Sequence, residues 1–144
     1  MENYLWLVYA LLSAVAAAMV SVFGKIGLQG LDAHTATAVR AVIMAAFLVA
    51  VAVFQRRWEY LPELWADKRA MTFILLSGVA GALSWLFYFT ALKYGKVSQV
   101  APVDKLSVVL AATAAVVFLH ETVSAMSAAG IGLITAGIIL VALG

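Results

Sequence analysis

Five long apolar runs separated by short polar turns set the pattern of the chain, at approximately residues 4–23, 36–54, 71–92, 97–119 and 124–143. Each is close to the ~20 residues that cross about 30 Å of hydrocarbon at a helical rise of about 1.5 Å per residue. The runs are rich in Ala, Leu and Val with embedded Gly, and they lack the strict alternation of a membrane barrel. Helices, which satisfy their backbone polar groups within each span, are the structure this pattern allows. It predicts an all-α integral membrane protein, a bundle of five transmembrane helices in a single domain over residues 1–144.

The polar stretches fill in the turns. Gly24, Gly27 and Gly30 read as breakers closing the first span. The longest linker, 55–70, carries Arg56, Arg57, Glu59, Glu63, Asp67, Lys68 and Arg69, and its Trp58, Tyr60 and Trp65 suit the half-wet membrane interface. Glu121 is expected to cap the fifth span. Met1-Glu2-Asn3 lacks the basic flank of a signal peptide, so the first span is expected to stay in the protein.

Composition excludes the alternatives. Of 144 residues, 66% are hydrophobic and 11% charged, where a soluble domain carries about 25% charged residues. A net charge of +2 is too small for a nucleic-acid footprint, so no nucleic-acid partner is expected. Cysteine is absent and the two histidines, His34 and His120, lie far apart. No metal, no cofactor and no enzyme activity are expected, since no ligand cluster or nucleophile–base pair is visible. The lipid bilayer is the obligate partner, and multi-pass insertion in the cytoplasmic (inner) membrane is the expected location.

Charge also bears on orientation. Five spans put the termini on opposite sides. Arg56, Arg57, Lys68 and Arg69 fall on the N-terminal side, and Lys25, Lys93 and Lys96 on the other, joined by Arg40 and Lys105 if residues within spans count. The positive-inside rule finds no clear bias, so dual orientation and a fixed orientation both stay open. Inserted both ways, one chain supplies the two inverted halves of a transporter as an antiparallel homodimer. Rows of small residues (Ala10, Ala14, Ala18; Ser77, Gly81; Ser124, Ala128, Gly132, Ala136) permit close helix approach within the chain or between copies.

Three ionisable residues fall inside spans: Arg40, Asp104 and Lys105. A charge at mid-span costs at least ~2.5 kcal/mol, so each needs a partner, water or a function. Arg40 and Asp104 each lie about 9 Å below where their helices enter the same side. The expectation is that Arg40 and the Asp104-Lys105 pair line a hydrated cavity, with Arg40 holding an anionic or zwitterionic substrate and Asp104 a cation or proton. The alternative is that Arg40 and Lys105 snorkel outward while Lys105 neutralises Asp104 locally. Pro102 removes a backbone donor near a candidate site, or is simply tolerated in a first turn. Trp85 and Tyr88, three apart on one face, offer π surface to a ligand or pack within the bundle.

The stretch Ala91-Leu92-Lys93-Tyr94-Gly95-Lys96-Val97-Ser98-Gln99-Val100-Ala101-Pro102-Val103-Asp104-Lys105-Leu106-Ser107, followed by Leu119-His120-Glu121, resembles the EamA domain of the drug/metabolite transporter superfamily. The small-residue first span, Gly24-Lys25-Ile26-Gly27-Leu28 and Arg40 fit the same pattern, and the resemblance covers essentially the whole chain as one five-helix repeat. His120 departs from it, standing where the family usually has glycine before the glutamate. The resemblance implies an inverted-repeat unit that pairs with itself or with a similar subunit and exports a small metabolite or drug-like substrate by alternating access. Smaller four-helix relatives couple to protons through a glutamate in their first helix. No ionisable residue stands in that span here, so that mechanism does not carry over. A second reading is a non-transporting membrane subunit of a hetero-oligomer or of a lipid-linked sugar translocation complex.

Overall fold

The computed structural model describes residues 4–144, and the reading of the Met1-Glu2-Asn3 flank lies outside them. The described residues form seven helices: α1 (Leu5–Gly27), α2 (Ala33–Phe54), α3 (Leu61–Ala66), α4 (Lys68–Tyr94), α5 (Val97–Asp104), α6 (Leu106–Phe118) and α7 (Ala125–Leu143). Five stretches are long and apolar enough to cross a membrane: α1, α2, α4, α5 with α6, and α7. The protein is thus an all-helical, multi-pass membrane protein. Large apolar side chains stay exposed along these helices, Phe47, Phe87 and Leu133 among them, as faces that meet acyl chains do.

Local chemistry sets the boundaries. α1 does not stop at Gly24 but runs a turn further, to Gly27. Gly24 serves close approach instead: a Cβ built on it would overlap the Phe89 ring, with Cζ at 3.1 Å. The chain turns at Gly30, whose φ of +75° suits a residue without a Cβ. Asp32 then caps α2, its Oδ2 accepting from the Thr35 N–H at 2.8 Å and from the Thr35 hydroxyl at 3.0 Å. α2 ends at Gln55, and Arg56 at φ +55° reverses the chain. The linker that follows is ordered: a 3-10 turn at Arg57–Tyr60 leads into α3, with Pro62 in its first turn. Asp67 caps α4 by accepting from the N–H groups of Arg69 and Ala70, both at 3.0 Å.

The chain divides into two compact units, Phe23–Lys93 and the remainder, residues 4–22 with Tyr94–Gly144. In the second unit α5 and α6 pack on α7. The inward face of α7 runs through Ile131, Thr135 and the buried Ile138, whereas Ala128, Gly132 and Ala136 of the small-residue row are exposed. Ser124, not Glu121, caps α7: its hydroxyl accepts from the Ser127 N–H at 3.1 Å. α6 ends with His120 at φ +56°, and the Glu121 N–H folds back to the Ala115 carbonyl at 3.2 Å.

Candidate functional site

Within the Phe23–Lys93 unit, the N-terminal half of α2 and the C-terminal half of α4 carry the least exposed side chains. On α2, Ala33 and Thr37 are buried and Arg40 is half-buried one turn on; on α4, Phe89 and Leu92 are buried and Trp85 is half-buried one turn before them. Each set follows helical spacing, so each forms one stripe.

Arg40 is the centre of this region. Its guanidinium carbon lies 4.2 Å from the centroid of Trp85 and 3.8 Å from that of Phe89. Trp85 and Phe89 are four residues apart on α4, which presents both rings to one cation. Tyr88 stands edge-on to Phe89, with centroids 5.4 Å apart and planes at 88°. Stacking satisfies the flat faces of a guanidinium but not its in-plane N–H donors. Nε, Nη1 and Nη2 of Arg40 are all buried, and none has a hydrogen-bond partner. They are the one such orphaned group among the described residues. Nearby hydroxyls are already committed to their own helices: Thr37 donates to the Ala33 carbonyl at 2.7 Å and Thr90 to that of Leu86 at 2.6 Å.

At the end of the same unit, the Lys25 ammonium donates to the carbonyl of Leu92, the one residue with no solvent exposure among the described residues. A cation there also offsets the negative end of the α4 dipole. Around this tie lies an open cleft of about 530 Å³, lined by Lys25, Gln29, Asp32, Leu92 and Lys93 among others. The Thr35 N–H, and after it the Thr35 hydroxyl, hold the Asp32 carboxyl below the usual carboxylate range.

The other expected residues lie in the second unit. Asp104 and Lys105 form an ion pair with each other at 3.3 Å, the local neutralisation that was one of the two readings. The expected fourth span is jointed, its residues 97–118 divided between α5 and α6. α5 ends at Asp104, and Lys105 closes a tight turn with its N–H on the Pro102 carbonyl at 3.0 Å before α6 begins. Pro102 sits inside α5 rather than in its first turn, and it lacks the N–H that would close on Ser98.

The sequence marked Arg40, Trp85 and Tyr88 as separate path candidates and set Arg40 beside Asp104 and Lys105; the contact of Arg40 with the α4 rings, Phe89 among them, and the Lys25 tie are not among its expectations. The signal for Phe89 was present: it stands one turn beyond Trp85 and shares its stripe more closely than Tyr88 does.

Fold and site define the class, a polytopic helical membrane protein with an ionisable group held inside its second span. The chain belongs to the EamA-like transporter family, which matches residues 4–143, and its role is that of a transporter. It is 39% identical over 137 residues to a Sinorhizobium sp protein named an uncharacterized transporter in the cobO 3′ region, covering 95% of this chain and 96% of that one. No solved structure matches it significantly.

Proposed function

We propose that the protein exports a small metabolite or drug-like compound across the cytoplasmic membrane by alternating access, as one half of a dimer. The partner is a second copy in the opposite orientation, or a similar subunit. The observation that carries this reading is the odd number of spanning helices, five. A five-span unit paired with an inverted copy gives the two-fold related halves between which transporter sites are built. The near-even split of basic residues across the two sides favours insertion both ways. Arg40, Trp85 and Tyr88 are the proposed substrate contacts. Pro102, Asp104 and Lys105 supply a proposed joint and ion-binding group on the path.

C-terminal reporters that are active only in the cytoplasm or only outside it test the arrangement. Signal from both is expected. Signal from one alone overturns the antiparallel homodimer and leaves pairing with an oppositely oriented subunit.

A further inference from the structure

The orphaned guanidinium of Arg40 sets a narrower requirement than transport in general. Five N–H donors converge in a buried region, and no acceptor meets them. Leaving a charged, buried donor group unpaired costs more than leaving a neutral one. The Trp85 and Phe89 rings stabilise the positive charge through their faces, yet they accept none of its hydrogen bonds. What completes the group is an oxyanion presenting two oxygens in the guanidinium plane. We propose that Arg40, walled by Trp85 and Phe89, is the binding site for a small monocarboxylate with an apolar or aromatic body, a narrowing that rests on the transport reading above.

Charge balance selects the class. In the Phe23–Lys93 unit, Arg40 is the one cation lying within a spanning stretch away from its ends. One buried guanidinium compensates one negative charge, and a dianion such as a phosphate monoester would bring a second, uncompensated charge out of water. The flanking surface is the Trp85 and Phe89 rings, with the Tyr88 ring edge-on to Phe89 and with Thr37 and Thr90 donating to their own helices. The carboxylate therefore faces the guanidinium fork, and the body of the ligand lies against the rings.

The full chain, with Trp6, Trp58 and Trp65 changed to Phe so that Trp85 alone emits, is titrated in detergent with acetate, benzoate, benzamide and inorganic phosphate. Benzoate is expected to change Trp85 emission saturably, acetate to do so more weakly, and neutral benzamide not at all. Phosphate is expected to bind at least about tenfold more weakly than benzoate, because its second charge stays unpaired. Arg40→Lys keeps the charge but loses the fork and is expected to weaken benzoate binding by about tenfold. Arg40→Gln is expected to abolish it, and should that variant misfold, the Lys variant carries the comparison. Arg57→Gln, in the linker beside Tyr60 and outside the spans, is expected to leave binding in place; loss of binding there would mean that the response does not report Arg40 and would overturn the single-cation scheme. Equal binding of benzamide, equal or tighter binding of phosphate, no response to either carboxylate, or an unchanged Arg40→Lys variant each overturns the proposal. In bilayer nanodiscs, a response to oleate with none to benzoate would identify a membrane fatty acid and overturn the water-soluble substrate. The dimer reading fails separately, through single-sided reporters with carboxylate binding intact.

Discussion

The Arg40 guanidinium rests 3.8 Å from the centre of the Phe89 ring, and Phe89 is itself 3% exposed. A charge in the second span is thus held by a side chain of no formal polarity, placed there by α4. Gly24 lies against the edge of that ring, where a Cβ would overlap Phe89. Glycine, phenylalanine and arginine, from three helices of one unit, form a single packing sequence.

Removing the middle member is expected to disturb both neighbours. Phe89→Ala should destabilise the protein by about 2–3 kcal/mol, below the typical soluble-core loss because lipid, unlike water, solvates the exposed ring in the reference state. Unfolding in mixed micelles, followed by helicity, measures this. A cost under about 0.5 kcal/mol, within the range of ordinary surface changes, would mean that Phe89 bears no packing load.

Gly24→Ala places a methyl against the same ring. The expected cost is about 1–3 kcal/mol, the range for overpacking. Part of it should return in the Gly24→Ala, Phe89→Leu double variant, where the smaller side chain makes room. A double-mutant cycle reads the coupling directly, and residues in contact typically couple by about 0.5–3 kcal/mol. Strict additivity would place the two residues out of contact.

His120 adopts a left-handed backbone at φ +56°, the conformation in which a Cβ crowds the following carbonyl. The departure from the glycine usual at this turn is therefore a strained substitution, one that histidine tolerates better than most residues. His120→Gly is expected to raise stability by about 0.5–1 kcal/mol, the relief of strain less the greater freedom of glycine in the unfolded chain. Thermal unfolding compares the two proteins. A drop in midpoint would show that the His120 side chain makes a stabilising contact that outweighs its backbone strain.

Much of this architecture was legible in the sequence, for a physical reason. Lipid forces every span to be long, apolar and helical, so the five runs marked the five spans to within a few residues. Arg40 stood out because a charge inside hydrocarbon is expensive wherever it sits. Packing partners carry no such mark. Phe89 is one apolar residue among many until α2 is set against α4, and Tyr88 drew the eye because its hydroxyl is polar. Gly24 was misread because glycine signals both a break and a close approach, and only the ring opposite it decides between them. The joint at Lys105 follows Pro102 by three residues, an offset that composition does not fix.

Acid should loosen the start of α2. The folded protein holds the Asp32 carboxyl below its ordinary value of 3.8 through the N–H of Thr35. A carboxylate with a lowered folded-state pKa adds stability that is present above the unfolded value and is lost as pH falls through the folded one. The cap therefore stays intact at neutral pH and weakens only below about pH 4, the ordinary carboxylate range. Asp32→Asn retains an acceptor and should remove the acid dependence while keeping the cap. Amide exchange at Thr35 and Ala36, followed from pH 6 to pH 3, reports the change. Faster exchange in the Asn variant at pH 6 would assign the stabilisation to charge rather than to the hydrogen bond.

Lys25 ties α1 to the last turn of α4 through the Leu92 carbonyl. The final carbonyls of a helix lack intrahelical donors, and a buried one left unpaired costs about 1–3 kcal/mol. Leu92 is wholly enclosed, so water replaces the lysine only if the end of α4 opens. Lys25→Met keeps the aliphatic stem and removes the donor and the charge. It is expected to lower stability by about 1–2 kcal/mol. It should also speed amide exchange selectively from Leu92 to Lys96, leaving the α4 residues near Trp85 protected. Arg at this position should restore protection in part, since it donates and carries charge with different reach. Uniform acceleration along all of α4 would instead mean that Lys25 supports the helix globally, and that the tie to Leu92 is not the local latch at its end.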